Sequence, residues 1–166
     1  MRIAHLFISS GHNFFGHHGQ SAGEHSMVEV EQIECVAGRG IRGDRFFNHK
    51  ENYKGQITFF SVEIFEALRR DLNLPGAHPQ ATRRNVFVSG ADLNALIGQE
   101  FEVQGVCFAG TEACRPCYWM NSALRHEQAE TWLKGNGGLR ARILTDGILR
   151  RDAVTAEHEA RMVSCA

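Results

Sequence analysis

The sequence contains no apolar run near the roughly 18 residues that a membrane-crossing helix requires, so no helical membrane span is expected. Proline is scarce, with 3 residues in 166, which excludes an extended proline-rich linker. Neither sign of charge is in excess: 18 Lys and Arg against 19 Asp and Glu leave a net charge of −1. General nucleic-acid binders and polybasic membrane binders carry a strong basic excess, so neither nucleic acid nor a membrane is expected as a partner. A local anion site stays open, because 18 cations can still cluster. The five cysteines (Cys35, Cys107, Cys114, Cys117, Cys165) are an odd number. The apolar stretch at Met1–Ile8 is too short for a signal peptide and alternates like a strand. A disulfide framework is therefore not expected, and the protein reads as soluble and cytoplasmic.

What is present suits one domain. Hydrophobic residues make up 43% and charged residues 22% of the chain, ordinary values for a globular fold that can bury about two-thirds of its unfolded surface. A single domain over 1–166 is expected, with its core at about 28–154, a His- and Gly-rich loop at 11–26 and a C-terminal tail at 155–166. Strand patterns recur at Ile3–Ser9, Val28–Val36, Gln56–Phe60 and Asn85–Ser89. Two hairpins are predicted, one turning at Gln104-Gly105 and one at Asp146-Gly147. Ser61 is a good N-cap for a helix whose apolar stripe is Ile64, Phe65, Leu68 and Leu72, and which must stop before Pro75. A second helix is predicted from just after Pro116 to Asn136-Gly137-Gly138, and a short turn of helix around Asp92–Ile97. Many short strands with Gly-rich turns predict a mainly β protein, a closed or nearly closed β-barrel with a few peripheral helices.

The segment Thr111-Glu112-Ala113-Cys114-Arg115-Pro116-Cys117 has three chemical readings. As a zinc knuckle, the Cys-x-x-Cys lacks the second pair of ligands that a structural site needs. As a thioredoxin-like redox pair, it lacks a downstream proline and the βαβ surroundings. As a reactive thiolate, Cys117 follows Pro116 into the first turn of the predicted helix, where free N–H groups and Arg115 lower a thiol pKa. The third reading is favoured over the first two and over an inert buried cysteine; Cys107 reads as structural.

Two arginine clusters accompany it. Arg39-Gly40-Ile41-Arg42-Gly43-Asp44-Arg45 combines exposed glycine amides with guanidinium groups, which suits either an anion such as phosphate or a solvated charged turn. Arg83 and Arg84, placed on a strand with Asn85, point to opposite faces, so that one of them reaches the barrel mouth. His12, His17, His18 and His25 surround Asn13-Phe14-Phe15 in the long loop. A loop of that length is often functional, and His17 or His18 is expected over the Cys117 site.

Taken in order, Gly40-Ile41-Arg42-Gly43-Asp44-Arg45, Gly55-Gln56-Ile57-Thr58-Phe59-Phe60-Ser61-Val62-Glu63, Arg84-Asn85-Val86-Phe87-Val88-Ser89-Gly90-Ala91-Asp92-Leu93-Asn94, Ile97-Gly98-Gln99-Glu100-Phe101 and Glu112-Ala113-Cys114-Arg115-Pro116-Cys117 closely resemble the MOSC domain, the C-terminal domain of molybdenum cofactor sulfurases. The resemblance runs from about Val28 to Val154. It implies a mainly β barrel with a site for molybdenum cofactor (molybdopterin) or a related metal–sulfur species. Cys117 holds the family's cysteine position, as a persulfide carrier or as a thiolate ligand to molybdenum. Arg83 and Asn85 match an Arg-x-Asn that contacts the cofactor in amidoxime-reducing relatives.

The implied site thus comprises Cys117 and Cys114 as chemical groups, with Gly43, Arg45, Arg83, Asn85 and Arg115 around the cofactor. The pyridoxal-phosphate domain of the sulfurases has no counterpart in the sequence, so pyridoxal phosphate is not expected here. Sulfur or electrons would come from partners, a cysteine desulfurase or sulfurase in one case and an electron-donor protein in the other. The implied activity is reduction of N-hydroxylated compounds or sulfur transfer. The alternative is a non-catalytic module that binds or delivers the cofactor or another anion.

Overall fold

The computed structural model describes residues 1–13 and 21–153. Ten strands and three α-helices occur among the described residues, so the chain is mainly β. The strands are β1 (Arg2–Ile8), β2 (Val28–Glu29), β3 (Gln32–Val36), β4 (Gly40–Ile41), β5 (Ile57–Ser61), β6 (Val86–Ser89), β7 (Glu100–Val103), β8 (Val106–Ala113), β9 (Leu139–Ile143) and β10 (Gly147–Arg150). The helices are α1 (Val62–Asp71), α2 (Trp119–Leu124) and α3 (Ala129–Trp132). No helix among the described residues is long and apolar enough to cross a membrane.

Seven strands form one sheet in the order β2-β1-β6-β5-β9-β8-β7, and three form a second in the order β10-β3-β4. Both sheets are open, so the closed or nearly closed barrel expected from the strand pattern is not found. The reason lies in the predicted second hairpin. Leu139–Ile143 and Gly147–Arg150 are both strands, yet they do not pair with each other: β9 pairs with β5 and β8, whereas β10 pairs with β3. The intervening residues are tied elsewhere, with Leu144 N–H donating to the Cys107 carbonyl (2.8 Å) and Asp146 Oδ1 accepting from Ala37 N–H (2.7 Å). The chain thereby leaves one sheet for the other.

The small sheet still faces the large one. It supplies Ile33, Cys35, Ile41 and Leu149 to a core shared with Ile3, Leu6, Phe59, Val86 and Phe108. Side chains alternate across the pleat: Leu6, Phe59, Val86 and Val88 turn into this core, while Phe7, Phe60 and Phe87 turn to the opposite face. There they meet α1 through Phe65 and Leu68. Because β5 is covered on both faces, its run Ile57-Thr58-Phe59-Phe60 is buried throughout, and it lacks the polar alternation of a half-exposed strand.

The α1 crossover lets β5 and β6 pair in parallel, the only parallel pair among the described strands. Ser61 caps α1 as predicted, its Oγ accepting from Ile64 N–H at 3.2 Å. The helix ends before Pro75 with Asn73 in the left-handed region. Gln104 and Gly105, both at positive φ (51° and 81°), make the tight turn of the β7–β8 hairpin, the geometry that matches strand twist. The helix predicted from after Pro116 to Asn136 is instead two short ones, broken at Arg125 (φ 54°). Residues 93–98 form turns, with Asp92 Oδ1 accepting from Asn94 and Ala95 N–H.

Candidate functional site

The framework of the site is a buried carboxylate. Asp44 follows the β4 turn, in which Gly43 adopts φ +81°. Its side chain is 1% exposed. Oδ2 accepts from Ser9 N–H (3.1 Å), Asn85 Nδ2 (3.2 Å) and Arg45 Nη1 (3.2 Å), and Oδ1 accepts from Phe46 N–H (3.1 Å). One residue thus joins the end of β1, the start of β6 and the 43–46 turn. Asn85 completes the junction. Its Oδ1 accepts from Thr58 N–H and Oγ1, and its Nδ2 also donates to the Phe7 carbonyl. Buried amides need such partners, and here they are all protein groups.

Above this junction lies a cavity of about 430 Å³. Arg45, Arg83, Arg84, Arg115 and Arg140 line it together with Cys114 and Cys117, and among the described residues no carboxylate does. Segments distant in sequence therefore deliver five guanidinium groups and two thiols to one concavity. Gly43 and Asn85, expected at the site, are not in its lining; they hold up the turn and the junction beneath it.

Four of these arginines are fixed by hydrogen bonds. Arg45 is 7% exposed at its side chain and donates from Nη2 to the Arg83 carbonyl (3.1 Å), with its guanidinium over the Phe46 ring. Burial pulls its pKa down, and Asp44 opposes this. Arg83 donates to the His25 carbonyl (2.8 Å), the Gly11 carbonyl (2.9 Å) and Ser9 Oγ (3.1 Å), pinning both ends of the long loop. Burial, then Arg45, lowers its pKa to about 10, so it remains charged at neutral pH. Arg84 donates to the Gly137 and Thr82 carbonyls.

Arg83 and Arg84 do not point to opposite faces of a strand. Arg83 sits at φ 55° after a 3-10 turn at Pro79–Thr82, and β6 begins only at Val86. The left-handed residue breaks the alternation and brings both side chains to the cavity. On the facing side, Arg140 Nη1 donates to Glu112 Oε1 (2.9 Å), and Lys54, Arg140 and Arg115 hold the Glu112 carboxyl below its usual range.

Cys114 continues the β8 ladder, its N–H donating to the Gly138 carbonyl at 2.7 Å. A Cβ on Gly137 would collide with the Cys114 carbonyl, so this close approach requires glycine. Cys114 is buried and Cys117 exposed. Cys117 is not in the first turn of a helix, as its position after Pro116 predicted. Helix α2 starts at Trp119 with Tyr118 as its N-cap, and Cys117 precedes both. Its carbonyl, rather than a helical N–H, meets the helix, accepting from Met120 N–H (2.8 Å). What distinguishes Cys117 is exposure in a cavity that five arginines also line. Burial pushes Cys35 up to about 12, the signature of an inert core thiol.

The rest of the wall is aromatic. Phe46 and Tyr53 stack at 5.1 Å, and Tyr118 and Trp119 lie 4.8 Å apart. His12 also lines the cavity. His17, His18, Phe14, Phe15 and Cys165 fall outside the described residues. Among those described, no three His, Cys, Asp or Glu side chains gather to hold a metal ion. Sequence reasoning expected only one of Arg83 and Arg84 at the cavity and a histidine other than His12, and it missed Arg140 and the two aromatic pairs as lining groups. Arg140 was visible as the inner polar position of an alternating strand, but nothing local marked it as functional.

The MOSC domain family matches residues 15–156 of this chain. The chain belongs to the MOSC domain family. No match was found among curated proteins. Among solved structures, it is similar to the YUAD protein from Bacillus subtilis, at 18% identity and TM-score 0.72, with 90% of each chain covered. It is also similar to YiiM from Escherichia coli (14% identity, TM-score 0.63) and YiiM from Geobacillus stearothermophilus (12%, 0.65). Those two alignments cover 92% and 90% of this chain but 67% and 70% of the YiiM chains. At such identities the likeness establishes a shared fold.

Proposed function

We propose that this MOSC chain binds molybdenum cofactor, or a related metal–sulfur species, in the arginine-lined cavity, with Cys117 as molybdenum ligand or persulfide carrier. One observation carries the reading: an exposed thiol and five guanidinium groups share a cavity that no carboxylate among the described residues lines. That donor set fits a ligand with a phosphate at one end and a soft metal–sulfur centre at the other. It does not fit a bare metal ion, because no trio of protein ligands is present among the described residues.

When bound, the cofactor would supply the redox-active metal together with its own sulfur donors. The chain's part is to hold and orient. Arg84, Arg115 and Arg140 offer donors to the anionic end, while Arg45 and Arg83 add field and shape. Cys117 offers a thiolate to the soft end, and Cys114 stays behind it in the wall. Gly43, Asp44 and Asn85 act through the arginine they position. Two activities are compatible with this arrangement: reduction of N-hydroxylated compounds with electrons from a partner protein, and carriage of sulfur received from a cysteine desulfurase or sulfurase.

Purification from a host competent in cofactor synthesis, followed by molybdenum, pterin and persulfide analysis, tests the proposal. Near-stoichiometric pterin with molybdenum, and turnover of an amidoxime, supports the reductase. A persulfide on Cys117 supports the carrier, and Cys117→Ser should remove either signal. Pterin without turnover or persulfide leaves a binding or delivery module. Protein free of pterin, molybdenum and persulfide would overturn the reading.

A further inference from the structure

His12 sits where its charge depends on what fills the cavity. Its ring meets Phe46 edge-on (4.9 Å, 77°) and lies 6.3 Å from the ring of His49. Tyr53 stacks on Phe46 and approaches His49 at 4.8 Å, so these rings make one continuous wall. Among the described residues, charged and titratable groups that act on His12 include Arg45, Arg83, His49 and Asp44. Partial burial, then Arg45, His49 and Arg83, push its imidazole below the ordinary value, and Asp44 opposes them. His12 therefore takes up a proton less readily than an ordinary imidazole.

Arg45 and Arg83 are also groups that an anionic ligand would neutralise. A dianion held in the cavity that they and His12 line offsets their repulsion of an imidazolium and adds an attraction, so proton affinity at His12 must rise on binding. Linkage makes this reciprocal: protonation of His12 must raise affinity for the anion by the same factor.

We propose that His12 is a proton-coupled anion contact, and that the Cys117 cavity takes up a dianionic oxyanion group together with one proton held on His12. This rests on the reading of the cavity as an anion site and adds a residue to it. Its chemical consequence is that a proton arrives with the ligand at the wall of a cavity that also exposes a thiol.

Sulfate is a suitable probe, since it stays dianionic over the range in which imidazole titrates. Affinity can be followed in the full chain by quenching of tryptophan fluorescence, as Trp119 lines the cavity. The His12 ring can be titrated separately by NMR, with and without saturating sulfate. Between the free and bound His12 pKa values, affinity should fall by about tenfold per pH unit as pH rises, the limit for one coupled proton. His12→Gln should flatten the profile while sulfate still binds. His49→Gln should keep the slope and only move its midpoint.

A sloped profile that persists in His12→Gln, a flat wild-type profile, an NMR titration of His12 unmoved by sulfate, or no sulfate binding would each overturn the proposal. Pterin-loaded protein with a flat sulfate profile would reject proton coupling and leave the cofactor reading standing. A His12-dependent slope in protein that never acquires pterin, molybdenum or persulfide would do the reverse.

Discussion

Asp44→Asn is nearly isosteric, yet it strikes the most heavily used side chain beneath the cavity. Three donors converge on Oδ2 (Ser9 N–H, Asn85 Nδ2, Arg45 Nη1) and one on Oδ1 (Phe46 N–H). An amide has a single oxygen. If it takes the Oδ2 position, its NH₂ group opposes Phe46 N–H; if it takes the Oδ1 position, its NH₂ group opposes three donors. Either way Arg45, 7% exposed at its side chain, loses its counter-ion. Removing one partner of a buried ion pair costs about 3–5 kcal/mol, a large part of the roughly 5–15 kcal/mol that stabilises a typical domain.

Urea unfolding at neutral pH would measure the loss. Arg45→Met and the double variant complete a thermodynamic cycle. The double variant should be less destabilised than the sum of the singles by about 1–3 kcal/mol, the coupling expected of a contacting pair. A loss below about 1 kcal/mol for Asp44→Asn, or strict additivity in the cycle, would refute the idea that Asp44 holds the site's framework together.

Other consequences follow from the same contacts. Brief alkylation at pH 7 should label Cys117 first, Cys107 more slowly, and Cys35 and Cys114 only on unfolding, as read by peptide mass mapping. Cys117→Ser, an exposed change, should alter stability by no more than about 0.5 kcal/mol. Gly137→Ala should cost about 1–3 kcal/mol or more, because the added Cβ meets the Cys114 carbonyl, a backbone atom that cannot swing away. Cys35 is raised from 9.0 to about 12, so its contribution to stability is full below pH 9 and is lost as pH rises towards 12. The slope should approach 1.4 kcal/mol per pH unit, about the value for one proton, and Cys35→Ala should remove that component from a denaturation series.

The elements that could be read from sequence were those with a local cause. Ser61 caps α1 because its own hydroxyl reaches Ile64 N–H, and Gly105 marks the β7–β8 turn because glycine accepts positive φ freely; both signals are local, although Gln104 is further held by Arg150 and Asp152. The Asp146-Gly147 hairpin had the same kind of signal and failed. Local alternation marks a strand, but it does not say which neighbour the strand joins. Here Leu144, Thr145 and Asp146 bond to Cys107 and Ala37, partners that lie more than 35 residues away. That single competition sends β10 to the second sheet and leaves both sheets open where alternation alone suggested a closed barrel.

The candidate site divides in the same way. Arg45, Arg83, Arg115, Cys114 and Cys117 were visible because residue type and order carry the MOSC pattern, and they do share one cavity. Their local geometry was not visible. Cys117 was assigned a helical first turn because Pro116 suits one, but the β8 ladder runs on through Cys114 to Gly138, and the helix starts later. Arg83 was placed on a strand, but the 3-10 turn before it leaves it at φ 55°. In both cases a tertiary contact outweighed a sound local preference, and the effect on function is specific. Cys117 gains exposure in a field of arginines in place of a helix dipole, and Arg84 joins Arg83 on the cavity wall. The resulting site depends more on accumulated cationic charge, and so should be more sensitive to salt and to the charge of its ligand, than one built on a helix terminus.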